Sequence, residues 1–442
     1  MPCGAGDSYD LTQSEATLLN FKTRTPQTRD LPSLRLLRIL SAMKRFLFVS
    51  LAVFLLSALV SAEEPKIKLT QIYSGIKFER PLSLQIPADG SNRRFVVEQT
   101  GRIKILPADE NAMEAKVFAD FTDLMGVEKD FEEGLLGLAF HPNFKSNGKL
   151  YVTMTKQGPK RTVLSEFVAK GDAIDMESER VLMEIQQPEW NHNSGNLVFG
   201  PNDGYLYYSV GDGGLGHGLH MLSQRLQAWN GKVLRIDVNS KSEGREYGIP
   251  SDNPFLDNPI ASPEIYAYGL RNPWGISIDP ETGLFWLADV GQALHEEVKL
   301  IERGGNYGWN FKEGSVEFPT RKEILAAVGK NKDNPPRGTQ FVEPIHTYSR
   351  DQGLSITGGF VYNGDKITGL KGHYLYGDWK FGNLWALHYD KDAGKVVANV
   401  HIEKPTDMSN PTVQPTGFYP DENGEPIALG WRGKIFRIES AH

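Results

Sequence analysis

The clearest regularity in the chain is a short alternating stretch that follows a turn and leads into another. RFVVEQ from Arg94, GKLYVTM from Gly148, GYLYYSV from Gly204, GLFWLAD from Gly283, GHYLYGD from Gly372 and GEPIALG from Gly424 share this form. The stretches that follow are, in order, GRIKILP, RTVLSEFVA, GKVLRIDV, EEVKLIE, GNLWALHY and GKIFRIE. Apolar residues at a period of two mark a strand with one face toward a core. Six such pairs predict an all-β fold, a six-bladed β-propeller whose inner strands do not stand out from the pattern. A β-sandwich would place about seven to nine strands in roughly 100 residues, and no linker divides the chain. One propeller domain over residues 63–442 is therefore expected. A strand near Leu69–Ile76 is expected to complete the last blade, because a closed ring leaves few exposed edges. The wider gaps predict insertions at 239–263 and 310–344, where they would rim a binding face.

Composition and local patterning sharpen this in four ways. Forty-five Gly and 26 Pro suit a turn-rich β fold. Residues 43–62, MKRFLFVSLAVFLLSALVSA, have the charged start, apolar run and small terminal residues of a secretory signal. The run is too short to span a membrane and no other stretch approaches the required length. The chain is thus expected to begin at Met43, with 1–42 a mis-assigned upstream segment, and to be periplasmic or secreted after cleavage at Ala62. Finally, 48 Lys+Arg face 55 Asp+Glu, a net charge of −7, and loss of residues 1–62 makes the balance more acidic. Nucleic acid and anionic membranes are poor partners for such a surface. The single cysteine, Cys3, lies in the removed part. That excludes disulfides, a thiol nucleophile and thiolate metal sites from the mature protein.

Candidate chemistry collects at the ends of the alternating stretches. Trp190 to Gly214 presents Asn191, His192 and Asn193, two strands around a Pro-Asn-Asp-Gly turn, and Gly211-Asp212-Gly213-Gly214. Of ten histidines, His192 is the one flanked by amides able to fix its ring; by itself the stretch also reads as a structural histidine in a turn. FEEGLLGLAFHPNF places Glu132 and Glu133 before an apolar run, which alone reads as a charged turn. Arg271-Asn272 stands between two apolar runs, as a cap, a bridge between blades, or a clamp for a carboxylate or quinone oxygen. Asp289-Val290-Gly291-Gln292 closes a strand, and exposed carbonyls there suit a hard cation such as Ca²⁺ or simply make a β-turn. Lys380 lies between Trp379 and Phe381 at another strand end.

Taken together, GLLGLAFHPNF, NHNSGNLVFGP, GDGG, YGLRNPWG, ADVGQ, GGNYGWN, SITGGFVYNG and GDWKFGNLWAL resemble the glucose/sorbosone dehydrogenase family. The resemblance runs in order from about Phe78 to Ile438. It implies a soluble, exported six-bladed propeller that uses pyrroloquinoline quinone (PQQ) and Ca²⁺ to oxidise a sugar. Lacking cysteine after Cys3, the chain looks more like the aldose sugar dehydrogenase branch than the disulfide-bearing Hedgehog-interacting relatives. By motif, His192 corresponds to the general base, Arg271 and Asn272 to contacts of the quinone oxygens, and Lys380 to a cofactor-binding lysine. The carbonyls of Gly291 and Gln292 fall where the family holds Ca²⁺, and Glu297 and Tyr307 where a second, structural Ca²⁺ would gain ligands. The chain departs from the glucose dehydrogenase pattern in four places. Asn191 stands where an Asp precedes the histidine, Glu132 where a Gln contacts substrate or cofactor, and Gly213 where the Gly-Asp motif continues with Gln; no late Arg-x-Arg is found around 412–418.

The resemblance thus implies oxidation of an aldose at C1, with His192 taking the hydroxyl proton and PQQ the hydride. No strand–GxGxxG–helix unit appears for a nicotinamide. The sugar and the electron acceptor are not specified. Two other readings use the same residues. One is a non-catalytic, Ca²⁺-stabilised propeller that binds a carbohydrate or a protein. The other is a Ca²⁺-dependent lactonase-type hydrolase, which needs Asn191, Asn193, Asp212 and Glu132 to converge on one metal.

Overall fold

All six predicted pairs form, and each supplies the second and third strands of a four-stranded antiparallel blade. The computed structural model describes residues 66–441, apart from 126–131, 319–322, 324–334 and 336; the expectations for 1–62 lie outside it. The first strands, hidden in the sequence, are Pro81–Gln85, Leu135–Phe140, Ser194–Phe199, Pro273–Ile278, Ile356–Thr357 continued by Val361–Tyr362, and Pro415–Pro420. They pack against one another around a central channel, so their neighbours are other blades' backbones more than solvent. Glycine makes that approach possible. A Cβ on Gly275 would lie 2.6 Å from the Cα of Gly358 in the next blade, far inside contact distance.

Each blade offers one apolar face to the blade before it and the other to the blade after. The core is accordingly divided into six apolar layers, one between each adjacent pair of blades. Aromatic contacts bridge these layers, as where Trp286 of blade 4 stacks on Tyr374 of blade 5 with centroids 4.5 Å apart. The ring closes as the sequence predicted. Ile67–Ile72 pairs antiparallel with Lys434–Ser440, so the beginning of the domain becomes the outer strand of the last blade.

Strand direction defines two ends of the channel. First strands start, and second strands finish, at one end; third strands turn into fourth strands at the other. Both predicted insertions leave from that second end. The 237–264 segment, between Lys232–Ile236 and Ile265–Tyr268, remains there, where His141 meets Asn239 at 3.0 Å. It does not rim the cavity described below, contrary to expectation, because a third-to-fourth-strand connection starts at the opposite end. From the second segment, residues 301–318 climb back between blades 3 and 4. The Trp309 amide donates to the Gly269 carbonyl at 2.9 Å, and a hairpin, Lys312–Glu313 with Val316–Glu317, forms at the first end.

Candidate active site

A repeated device holds the starts of the first strands. In five blades a polar side chain at the end of the second strand braces the start of the first strand of the same blade. Glu98 accepts the Glu79 amide at 2.7 Å, Thr155 the Gly134 amide at 2.8 Å, and Asp378 the Ser355 amide at 2.7 Å. Asp289 accepts the amides of Arg271 and Asn272 at 3.2 and 2.8 Å. In blade 3 the acid is Asp212, and it meets a side chain: His192 Nδ1 lies 2.6 Å from Asp212 Oδ1.

That exchange determines the chemistry of His192. Asp212 also accepts the Gly214 amide at 3.0 Å and the Trp309 indole N–H at 2.7 Å. Burial pushes the Asp212 carboxyl up, but His192, Arg271 and the Gly214 amide outweigh it and hold the group below the usual range. An ionised carboxylate only accepts, so Nδ1 of a neutral His192 carries the proton and Nε2 presents a lone pair. The His192 backbone is held in the left-handed region at φ 58°, costly for a residue with a side chain. Its amide donates to Glu132 Oε2 at 2.7 Å. The flanking amides do not orient the ring as the sequence suggested; the Asn193 amide donates to the Trp190 carbonyl at 2.8 Å instead.

His192 lines a cavity of about 490 Å³ at the first end of the channel. Glu132, Arg271, Asn272, Gly291, Gln292 and Lys380, singled out from the sequence, line the same space. Arg271 is oriented by the Val290 carbonyl at 2.8 Å and Gln292 Oε1 at 3.1 Å, and lies over the Trp309 ring at 5.5 Å. Its Nε is buried without a partner among the described residues. Lys380 is exposed, and no described carboxylate pairs with it. Asn272 and Glu132 are more constrained than expected. The Asn272 amide accepts from Ser194 at 2.8 Å and donates to Glu132 at 3.3 Å, so both side chains brace the His192 turn as well as facing the cavity.

Glu297 and Tyr307 face an ammonium where a structural Ca²⁺ was expected. Lys299, fully buried, lies 2.8 Å from Glu297 and 2.6 Å from Asp289. Burial works against the Lys299 charge, but the two acids hold its ammonium above the ordinary range. The Tyr307 hydroxyl donates to the Leu300 carbonyl at 2.7 Å. An ammonium thus occupies the space between the acids.

Sequence reasoning missed Asp212 as the partner of His192, and missed Arg350, Trp274, Trp379 and Trp431 in the cavity wall. Asp212 had a signal: acids recur at the ends of the second strands, as in RFVVE, GLFWLAD and GHYLYGD. The missing late Arg-x-Arg is not replaced locally. Thr416 lines that wall, and its hydroxyl donates to the Pro81 carbonyl at 2.5 Å across the ring closure.

Fold and cavity together define a class: a six-bladed β-propeller whose reactive side chains stand where the inner strands begin. The chain belongs to the glucose/sorbosone dehydrogenase family, whose pattern, described as Glucose / Sorbosone dehydrogenase, matches residues 78–408. It is 30% identical over 332 residues to human Hedgehog-interacting protein, covering 72% of this chain and 43% of that protein. It is 26% identical over 387 residues to quinoprotein glucose dehydrogenase B of Acinetobacter calcoaceticus, covering 79% and 73%. The PQQ-bound aldose sugar dehydrogenase of Streptomyces coelicolor superposes with a TM-score of 0.61 at 20% identity, over 86% of this chain and all of that one, which speaks for the fold. The chain spans about half the length of the first curated relatives it matches. Contrary to expectation, absence of cysteine after Cys3 does not place the chain nearer the aldose dehydrogenase branch, since identity is higher to the Hedgehog-interacting protein. Among the described residues no helix is long and apolar enough to cross a membrane.

Proposed function

We propose that this chain is an exported quinoprotein that oxidises an aldose at C1 to the lactone, with PQQ as hydride acceptor and Ca²⁺ at the Gly291–Gln292 turn. The observation that carries the reading is a carboxylate-backed imidazole facing the same cavity as Arg271, Lys380 and that turn. The donor set fits a planar, polycarboxylated quinone. Arg271, Arg350 and Lys380 supply positive charge, and Trp274, Trp379 and Trp431 supply flat apolar walls. The buried, unpartnered Arg271 Nε is a donor in want of an acceptor.

When bound, PQQ would supply an ortho-quinone able to accept the hydride, and with it the two electrons of the oxidation. His192 Nε2 takes the proton of the C1 hydroxyl as the hydride leaves that carbon. Asp212 fixes the ring and stabilises the imidazolium that forms. Arg271 presents positive charge where negative charge develops. Lys380 holds a carboxylate near the mouth.

A second reading, a binding propeller without turnover, is favoured by the 30% identity to a protein named for its interaction with Hedgehog. One experiment separates the two. Purified protein reconstituted with PQQ and Ca²⁺ is mixed with a panel of aldoses and a redox dye. Sugar-dependent dye reduction is the expected result; its absence across the panel, with the protein folded, supports the binding reading.

A further inference from the structure

We propose that Glu313, delivered by the long blade 4 excursion, sets the cation affinity of the Gly291–Gln292 turn. The inference rests on the ion site of the function proposed above and adds the residue that shapes it. Glu313 Oε1 accepts four consecutive backbone amides, those of Gln292, Ala293, Leu294 and His295, at 2.8, 2.7, 2.7 and 3.2 Å. The carboxylate is almost wholly buried, 1% exposed. No other described carboxylate collects so many amides from one turn.

Peptide planarity turns this into a statement about carbonyls. In a trans peptide the C=O of one residue points opposite the N–H of the next. Amides 292 to 295 aimed at Glu313 therefore direct the carbonyls of Gly291, Gln292, Ala293 and Leu294 away from it. Gly291, Gln292 and Ala293 line the cavity on that side. Glu313 thus holds a row of oxygens outward, and its negative charge lies one peptide's width behind them. Both effects favour a hard cation.

The position of Glu313 is itself fixed. The Gly314 amide donates to Glu297 at 2.9 Å, tying the hairpin to the third strand of blade 4. Arg350 donates to Glu313 at 3.4 Å and to the His295 carbonyl at 3.1 Å, and also pairs with Glu296. The turn is tight enough to need its glycine: a Cβ on Gly291 would lie 1.6 Å from the His295 carbonyl oxygen. A residue some twenty positions away thus controls a turn whose own side chains supply no anionic ligand.

The test is a Ca²⁺ titration by calorimetry on the full chain, without sugar or dye. Wild type is compared with Glu313→Gln, which keeps an accepting oxygen and removes the charge, and Glu313→Asp, which keeps the charge and withdraws the oxygen. Thermal melts in chelator and in Ca²⁺ check folding and give a second reading of affinity. Both variants are expected to weaken Ca²⁺ binding by about 10–100-fold, the range for residues that orient metal ligands. Folded variants that bind as tightly as wild type overturn the inference and leave the ion site standing. Wild type that binds no Ca²⁺ removes the ion site, and with it this inference.

Discussion

The two ends of the channel are built from the same six inner strands and differ in chemistry. At the first end lie His192, Asp212, Asp289, Lys299 and Arg271, all buried and all hydrogen-bonded or ion-paired. At the second end a cavity of about 350 Å³ is lined mainly by Ile86, Phe140, Phe199, Ile278, Phe360 and Tyr419, with His141 and Asp279 beside them. Backbone strain follows the same division. Of eight described non-glycine residues with positive φ, five fall between His192 and Met221, in the turn and long loop of the first end. Buried charge and strained backbone are costly and persist where surrounding structure fixes them. The second end also buries charge, as at Arg235, Glu264 and Asp279, but carries less of the strain. What differs is the connections: at the second end each first strand turns into its second strand, whereas at the first end the same two termini are not joined and meet through side chains.

The largest expected effect comes from breaking the buried charge at the first end. Lys299→Met leaves Asp289 and Glu297 facing each other without a cation, and should cost about 3–5 kcal/mol of stability in a denaturant or thermal melt. Asp289 also anchors the amides of Arg271 and Asn272, so surviving folded protein should bind PQQ more weakly. A loss under 1 kcal/mol would mean that the triad is solvated.

Asp212→Asn should act next, on turnover more than on fold. An amide in that place no longer dictates which His192 nitrogen carries the proton, and a fall of roughly 10²-fold in sugar oxidation is expected. It should also change the acid side of the stability profile. The folded carboxyl is held below its ordinary value, so its contribution is complete above the unfolded pKa, near 4, and is lost as pH falls through the lower folded value. Denaturation of Asp212→Asn should therefore depend less on pH below about 4 than that of wild type.

The smallest effect should come from the second end. Phe140→Leu, in the apolar mouth, is expected to cost no more than about 1.5 kcal/mol and to leave turnover per folded molecule unchanged. A change in turnover there would couple the two ends, which the account does not provide for.

Much of this fold was legible because the second and third strands of each blade alternate against two neighbouring layers. Stretches such as GYLYYSV and GKVLRIDV carry that period in plain view. The first strands were not legible: PTGFYP and SITGGFVY are broken by proline and glycine, because they lie against other backbones around the channel. Blade 5 even divides its first strand into Ile356–Thr357 and Val361–Tyr362. The seven cavity residues were found by motif, and they share one cavity. Their supports were hidden, since Asp212 and Glu313 each lie about twenty residues from what they hold. Spacing of that kind follows from blade geometry, not from local pattern. The insertions were found from gap length, but their direction depended on which end a third strand leaves from.

The most direct test of the central claim is the rate of sugar-dependent dye reduction by wild type and His192→Gln, each reconstituted with PQQ and Ca²⁺ and normalised to folded, PQQ-loaded protein. General-base assistance is typically worth about 10²–10⁴-fold. The account predicts a loss of that order in turnover, with melting temperature and PQQ binding nearly unchanged. Equal rates per loaded molecule would contradict it, and would return His192 to the role of a buried histidine that only holds its turn.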